Sequence, residues 1–121
     1  MTQTSTIRIR NVTRGTLLAD RAAVAGSSAA RRTGLLKHAE LLPGEGLWIV
    51  PCECIHTFGM KFSIDAVFLT KKKKVLKISS EMPKRRIALA IRAHSVLELP
   101  AGTVANTRTC RGDQLILEEC S

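Results

Sequence analysis

Cys52, Cys54 and His56 occupy alternate positions, and an extended strand sends every second side chain out of one face, about 6–7 Å apart. Two thiols and an imidazole on one face are donors that zinc accepts, with Cys110 as a candidate fourth ligand. Neighbours at that spacing do not close a tetrahedron unless a bulge bends the strand, and the pattern matches no common zinc knuckle, so no metal is assigned. His56 and Asp65 form a second combination. A histidine changes charge near neutral pH, and a nearby carboxylate fixes its tautomer and raises its basicity, which makes an acid/base pair. The architectural alternative has Asp65 accepting backbone amides at a turn after Met60–Ile64, with His56 as its hydrogen-bond partner. A Cys52–His56 nucleophile pair is the third combination, since an imidazolium lowers a thiol pKa; no oxyanion site is visible to complete it. Thr57, Met60 and Lys61 share this stretch, and Glu98 points away from the face of Leu97 and Leu99. Cys52, His56, Thr57, Met60, Lys61, Asp65 and Glu98 are therefore the expected ligand-binding set, with His56 and Asp65 as candidate catalytic residues.

The elements that must hold these residues are mostly short strands. Thr6–Val12 alternates isoleucine with arginine, the period of a strand with one buried face, and Thr16–Ala19 reads as its hairpin return. Gly26-Ser27-Ser28 reads as a break and N-cap, followed by Ala29, Ala30, Leu35 and Leu36 at helical spacing, weakened by Gly34. Leu41–Gly46 has the proline and glycines of a turn. Leu47–Val50, Ile64–Leu69, Val75–Ile78, Val96–Leu99 and Gln114–Leu117 are apolar strands, and Lys71–Lys74 has the composition of a hairpin tip in water. Gly112-Asp113 reads as a turn before the last strand. The expectation is a mainly β fold: a small sandwich or distorted barrel of short, largely antiparallel strands with one short helix.

The 121 residues suit one domain over 1–121, and 45% hydrophobic with 24% charged residues is an ordinary globular balance. The net charge is +9, and nine cations against the single acid Glu81 fall between Lys71 and Arg92. Such a patch attracts polyanions in a salt-dependent way, or simply solvates a loop. The aromatic residues are Trp48, Phe58, Phe62 and Phe68, too few for base-stacking platforms. No phosphate-binding glycine loop and no Gly-x-Ser-x-Gly elbow occurs, so no cofactor is expected. No run approaches the roughly 18 apolar residues of a membrane span. The arginines at 8, 10, 14 and 21 enclose no secretory apolar block, so the expected compartment is the cytoplasm and the cysteines are read as thiols.

Arg32-Thr33-Gly34-Leu35-Leu36, Gly44–Ile49, Pro51-Cys52 with Ile55–Phe58, Met60–Leu69, Leu97–Thr103 and Gly112-Asp113 resemble, in that order, the domain of unknown function 192 family, over roughly residues 15 to 118. The resemblance implies a compact β-sandwich or distorted barrel with one helix, and no settled activity. It also exposes departures: Gly59 and Lys84 stand where the family commonly has aromatics, and Lys72-Lys73 replaces an Asp-Gly type hairpin turn. Losing two rings widens any pocket they would wall.

The functional expectation is binding of a small molecule or protein partner in a cleft around His56 and Asp65. One alternative is a polyanion-binding module using Lys71, Lys72, Lys73, Lys74, Lys84, Arg85 and Arg86, salt-sensitive and indifferent to His56. The other is an enzyme working through His56 and Asp65.

Overall fold

The computed structural model describes residues 6–27, 30–31 and 40–120. Among them run β1 (Thr6–Asn11), β2 (Thr16–Ala25), β3 (Glu45–Ile49), β4 (Cys54–His56), β5 (Ile64–Leu69), β6 (Val75–Met82), β7 (Ile87–Leu89), β8 (Ser95–Pro100), the five-residue helix α1 (Thr103–Thr107) and β9 (Leu115–Glu119). Seven strands form one sheet in the order β6-β5-β8-β3-β2-β1-β9, and β4 pairs with β7 in a separate small sheet. Every pairing is antiparallel except β2 with β3. The two edge strands of the large sheet meet at one corner, where Lys74 bridges Gln114 and the Val75 amide donates to the Asp113 carbonyl at 2.9 Å. The sheet therefore curls into a half-barrel. This is the mainly β, largely antiparallel architecture expected from the strand pattern.

Both faces of the central strands are buried, which explains their near-continuous apolar text. All six residues of β5 and the first five of β8 are buried. Val67, Leu69, Leu97 and Leu99 face the concave side with Ile7, Ile9, Leu115 and Val104 of α1. Ile64, Ala66, Phe68 and Val96 face the other side, where Leu47 and Ile49 meet Ile55 of β4, Met60, and Ala88 of β7. The small sheet is thus a lid on the convex face of the large one.

Five elements depart from the sequence expectation. β2 continues to Ala25, because it pairs with β3 as well as β1. Glu45 and Gly46, read as turn, already belong to β3. The strand β7 and the helix α1 were not expected, and β4 entered only as the extended stretch considered for Cys52, Cys54 and His56. The helix anticipated through Leu35 and Leu36 lies outside the described residues except for Ala30 and Arg31, which are helical; Ser27 Oγ accepts the Ala30 amide at 3.1 Å, as an N-cap does. At the hairpin tip, Lys73 takes the left-handed conformation (φ 69°) and its amide donates to Thr70 O. The tip is therefore a three-residue loop, with lysine where glycine would cost about 1 kcal/mol less. Gly112 is also left-handed, and Asp113 behind it is buried. Its Oδ2 accepts from Asn11 Nδ2, Arg14 Nε and Cys110 N, all within 3.0 Å, tying the first hairpin to the last turn. Burial alone would raise this carboxyl's pKa, but those hydrogen bonds outweigh it and hold the pKa below its ordinary value.

Candidate functional site

Asp65 is fully buried and points to the concave side of the sheet. Its Oδ1 accepts the Glu81 amide at 2.7 Å, and its Oδ2 accepts the amides of Gly102 at 3.1 Å and Val104 at 2.8 Å. One carboxylate thus joins β5 to an irregular point of β6 and to the start of α1, where the helix amides have no internal partner. His56 is exposed on β4, opposite Ile87, with its ring 5.7 Å from that of Phe58. Among the described residues no hydrogen bond or ion pair joins His56 to Asp65. The structure supports the architectural role for Asp65, with amides from distant segments in place of the local turn, and does not form the acid/base pair.

Thr57 is likewise buried and structural. Its Oγ1 donates to Pro83 O at 2.6 Å and accepts the Arg86 amide at 2.8 Å, and its own amide donates to Arg86 O. It fastens the β4–β5 loop to the β6–β7 loop. Thr57→Val keeps the shape and leaves these two backbone groups without partners. The expected cost is about 1–3 kcal/mol in urea unfolding, with faster amide exchange at Arg86. Met60 is a core residue beneath the small sheet, and Lys61 is exposed.

The alternation of Cys52, Cys54 and His56 does not put them on one face. Only Cys54 to His56 is strand, and Cys54 and His56 share its exposed side. Cys52 precedes the strand, and it is half-buried against the convex-side core. No group of three His, Cys, Asp or Glu residues suited to a metal occurs among the described residues. All four cysteines are free. Burial pushes the Cys52 thiol pKa up, a backbone hydrogen bond from Cys54 opposes this, and the negative charge of Glu98 adds to the rise; the thiol itself donates to the Cys54 carbonyl at 3.2 Å. The thiol is held protonated, the reverse of what an activated nucleophile needs.

That coupling leads to Glu98. It lies on β8 between Leu47 of β3 and Ala66 of β5, facing the convex-side core, and is 3% exposed. Among the described residues no hydrogen bond or ion pair reaches its carboxyl group. Burial pushes its pKa up from 4.5 to about 7. Leu41, Cys52 and Phe62 are half-buried around the same apolar layer, and the positive charge of Arg31 is felt at Cys52. Of the seven residues expected to bind a ligand, the structure links Cys52 and Glu98. His56 and Lys61 are on the surface, and Thr57, Met60 and Asp65 are framework.

The basic segment is divided. Lys71–Lys74 precede the eight residues of β6, and Lys84–Arg86 follow them, which separates the two groups by roughly 26 Å at 3.3 Å per residue. Lys73 is committed locally: its Nζ donates to Lys71 O at 3.0 Å and stands 5.4 Å from the Trp48 ring centre.

The model of the DUF192 family, described as Uncharacterized ACR, matches residues 9–117. The chain belongs to the DUF192 family. Two crystal structures share the fold of this DUF192 chain. One is a protein of unknown function from Novosphingobium aromaticivorans, 21% identical, with a TM-score of 0.79 over 92% of this chain and 83% of that one. The other, from Sinorhizobium meliloti, is called a "putative transcription regulator"; it is 20% identical, with a TM-score of 0.82 over 95% of this chain and 94% of that one. No curated protein matches the sequence significantly. No helix among the described residues is long and apolar enough to cross a membrane.

Proposed function

We propose that this DUF192 chain is a ligand-binding domain, acting in the cytoplasm, that takes a small and largely apolar molecule against Glu98. The observation that carries the reading is the carboxyl group itself: 3% exposed, among apolar neighbours, and without a partner among the described residues. A buried acid that the described residues leave without a partner is a cost to the fold. A ligand that supplies a hydrogen-bond donor, such as an alcohol, amide or amine, removes that cost, and the apolar layer supplies the rest of its contact. Cys52, protonated and half-buried, lies near enough for the charge of Glu98 to raise its pKa. Binding rather than covalent chemistry suits a protonated thiol and an Asp65 already occupied by three amides.

The test is a set of small fragments sorted by their polar group and followed by ¹⁵N NMR. Fragments with a neutral or cationic donor are expected to shift the amides of Leu47, Cys52, Ala66 and Glu98, and Glu98→Ala is expected to weaken them at least tenfold. Carboxylate fragments binding equally well, or hits indifferent to Glu98, would overturn the reading.

A further inference from the structure

The small sheet has an outer face that the core does not use. On β7 and just beyond it, Ile87, Leu89 and Ile91 alternate with the buried Ala88 and Ala90, and they are 61%, 48% and 76% exposed. The register pairs Ile87 with His56 and Leu89 with Cys54, so these side chains share one surface, extended by Phe58, which is 47% exposed and packs by its ring on His56. Large apolar side chains standing out together in this way mark an interaction site.

Cations bracket this ridge. Arg86 immediately precedes Ile87, Lys84 and Arg85 lie in the same loop, and Arg92 immediately follows Ile91; all four are exposed. Along the flank, Lys77 of β6 donates from Nζ to Leu89 O at 2.6 Å. Between Ile91 and β6 lies an open groove of about 650 Å³ lined by Leu76, Ile78 and Ala90, with Lys77 and Arg111 as its charges. Among the described residues, the acid placed at the ridge by a hydrogen bond is Glu53, whose carboxylate accepts the Arg92 amide. Of the two basic clusters, only Lys84–Arg86 adjoins the apolar strip, at one end, and Arg92 stands at the other.

We propose that this face docks on an anionic lipid surface, with Ile87, Leu89, Ile91 and Phe58 entering the headgroup boundary and Lys77, Lys84, Arg85, Arg86 and Arg92 meeting the lipid phosphates. Surface anchoring of this kind combines buried apolar area with attraction to anionic headgroups. Nucleic acid offers no counterpart for three aliphatic side chains. An acidic protein would need a surface shaped to a protruding strip, whereas a bilayer interface accommodates it without one.

Flotation of the full chain with vesicles tests this, using phosphatidylglycerol mixed into phosphatidylcholine against phosphatidylcholine alone. Binding is expected to the anionic vesicles only, falling as salt rises. The triple variant Ile87→Asn, Leu89→Asn, Ile91→Asn keeps the net charge, and it is expected to bind at least tenfold more weakly. Ile91→Asn alone, at the most exposed position, is expected to give a smaller loss with an unchanged circular dichroism spectrum, and it serves if the triple variant does not fold. Lys72→Ala with Lys74→Ala, at the hairpin tip, is expected to cost less than the triple variant. Absence of binding to anionic vesicles, as an acidic protein partner would imply, overturns the proposal. So does equal binding by the folded asparagine variants, which would reduce the attraction to general charge.

Discussion

Asp65→Ala is expected to lower stability by about 4 kcal/mol, because three amides, that of Val104 buried and those of Glu81 and Gly102 part-buried, lose their acceptor together and each orphaned group costs about 1–3 kcal/mol. For a chain of this size that corresponds to a midpoint roughly 15 °C lower, and failure to fold at 37 °C is within the expected range. The loss should be concentrated where the carboxylate reaches, so amides of α1 and of the Glu81 region lose exchange protection before those of β1 and β9. Asp65→Asn keeps an acceptor for part of the set and places an amide hydrogen against a donor, so an intermediate loss is expected. Thermal and urea unfolding of both variants measure it. If Asp65→Ala folds with an unchanged midpoint, the residue is not the clamp described here and a role in binding becomes the better account.

Glu98 has the opposite character, a buried acid that the fold tolerates at a cost. Its pKa is raised in the native state, to about 7 against 4.5. Between those values the native protein binds the proton more tightly than the unfolded chain. Stability therefore falls as pH rises from about 4.5 to about 7 and levels off above. At about 1.4 kcal/mol for each pH unit of that window, the carboxylate costs about 3 kcal/mol at pH 8. Glu98→Gln, which never ionises, is expected to be more stable than the parent by up to that amount at pH 8 and close to it at pH 4. The same substitution should weaken the donor-bearing ligands proposed above, a stability–function trade of the kind expected at a binding site. Urea unfolding of the two proteins at pH 4, 6 and 8 gives the comparison. A constant difference across that range would mean that Glu98 does not titrate in the native state as described.

These two acids also show what the sequence makes legible. The strand Ile64–Leu69 and its neighbours Val96–Leu99 and Val75–Ile78 are readable from composition, and the mainly β architecture follows from them. The chain has no local signal for β4 and β7, three residues each with one buried residue apiece, Ile55 and Ala88. They exist because they cover the convex core. Nor does Thr103–Thr107 have the length or composition of an independent helix; its first amides are held by Asp65 from another strand. Local spacing placed His56 and Asp65 together, but the partners of Asp65 come from positions 81, 102 and 104. Alternation correctly put Glu98 on the face opposite Leu97 and Leu99. It does not reveal that this second face is also buried, which is what changes the acid's chemistry. The exposed ridge was readable in principle, since Ile87-Ala88-Leu89-Ala90-Ile91 alternates large apolar residues with alanine between arginines.

The central claim is that Glu98, rather than the His56–Asp65 motif, is the chemically poised group of this DUF192 domain. Its most direct test is a ¹³C NMR titration of the side-chain carboxyl carbons in the native protein, with Glu98 assigned by its absence in Glu98→Gln. The account predicts that this resonance titrates with a midpoint of about 7. A midpoint near the ordinary 4.5 would show the carboxyl to be solvated or partnered, and would contradict the claim.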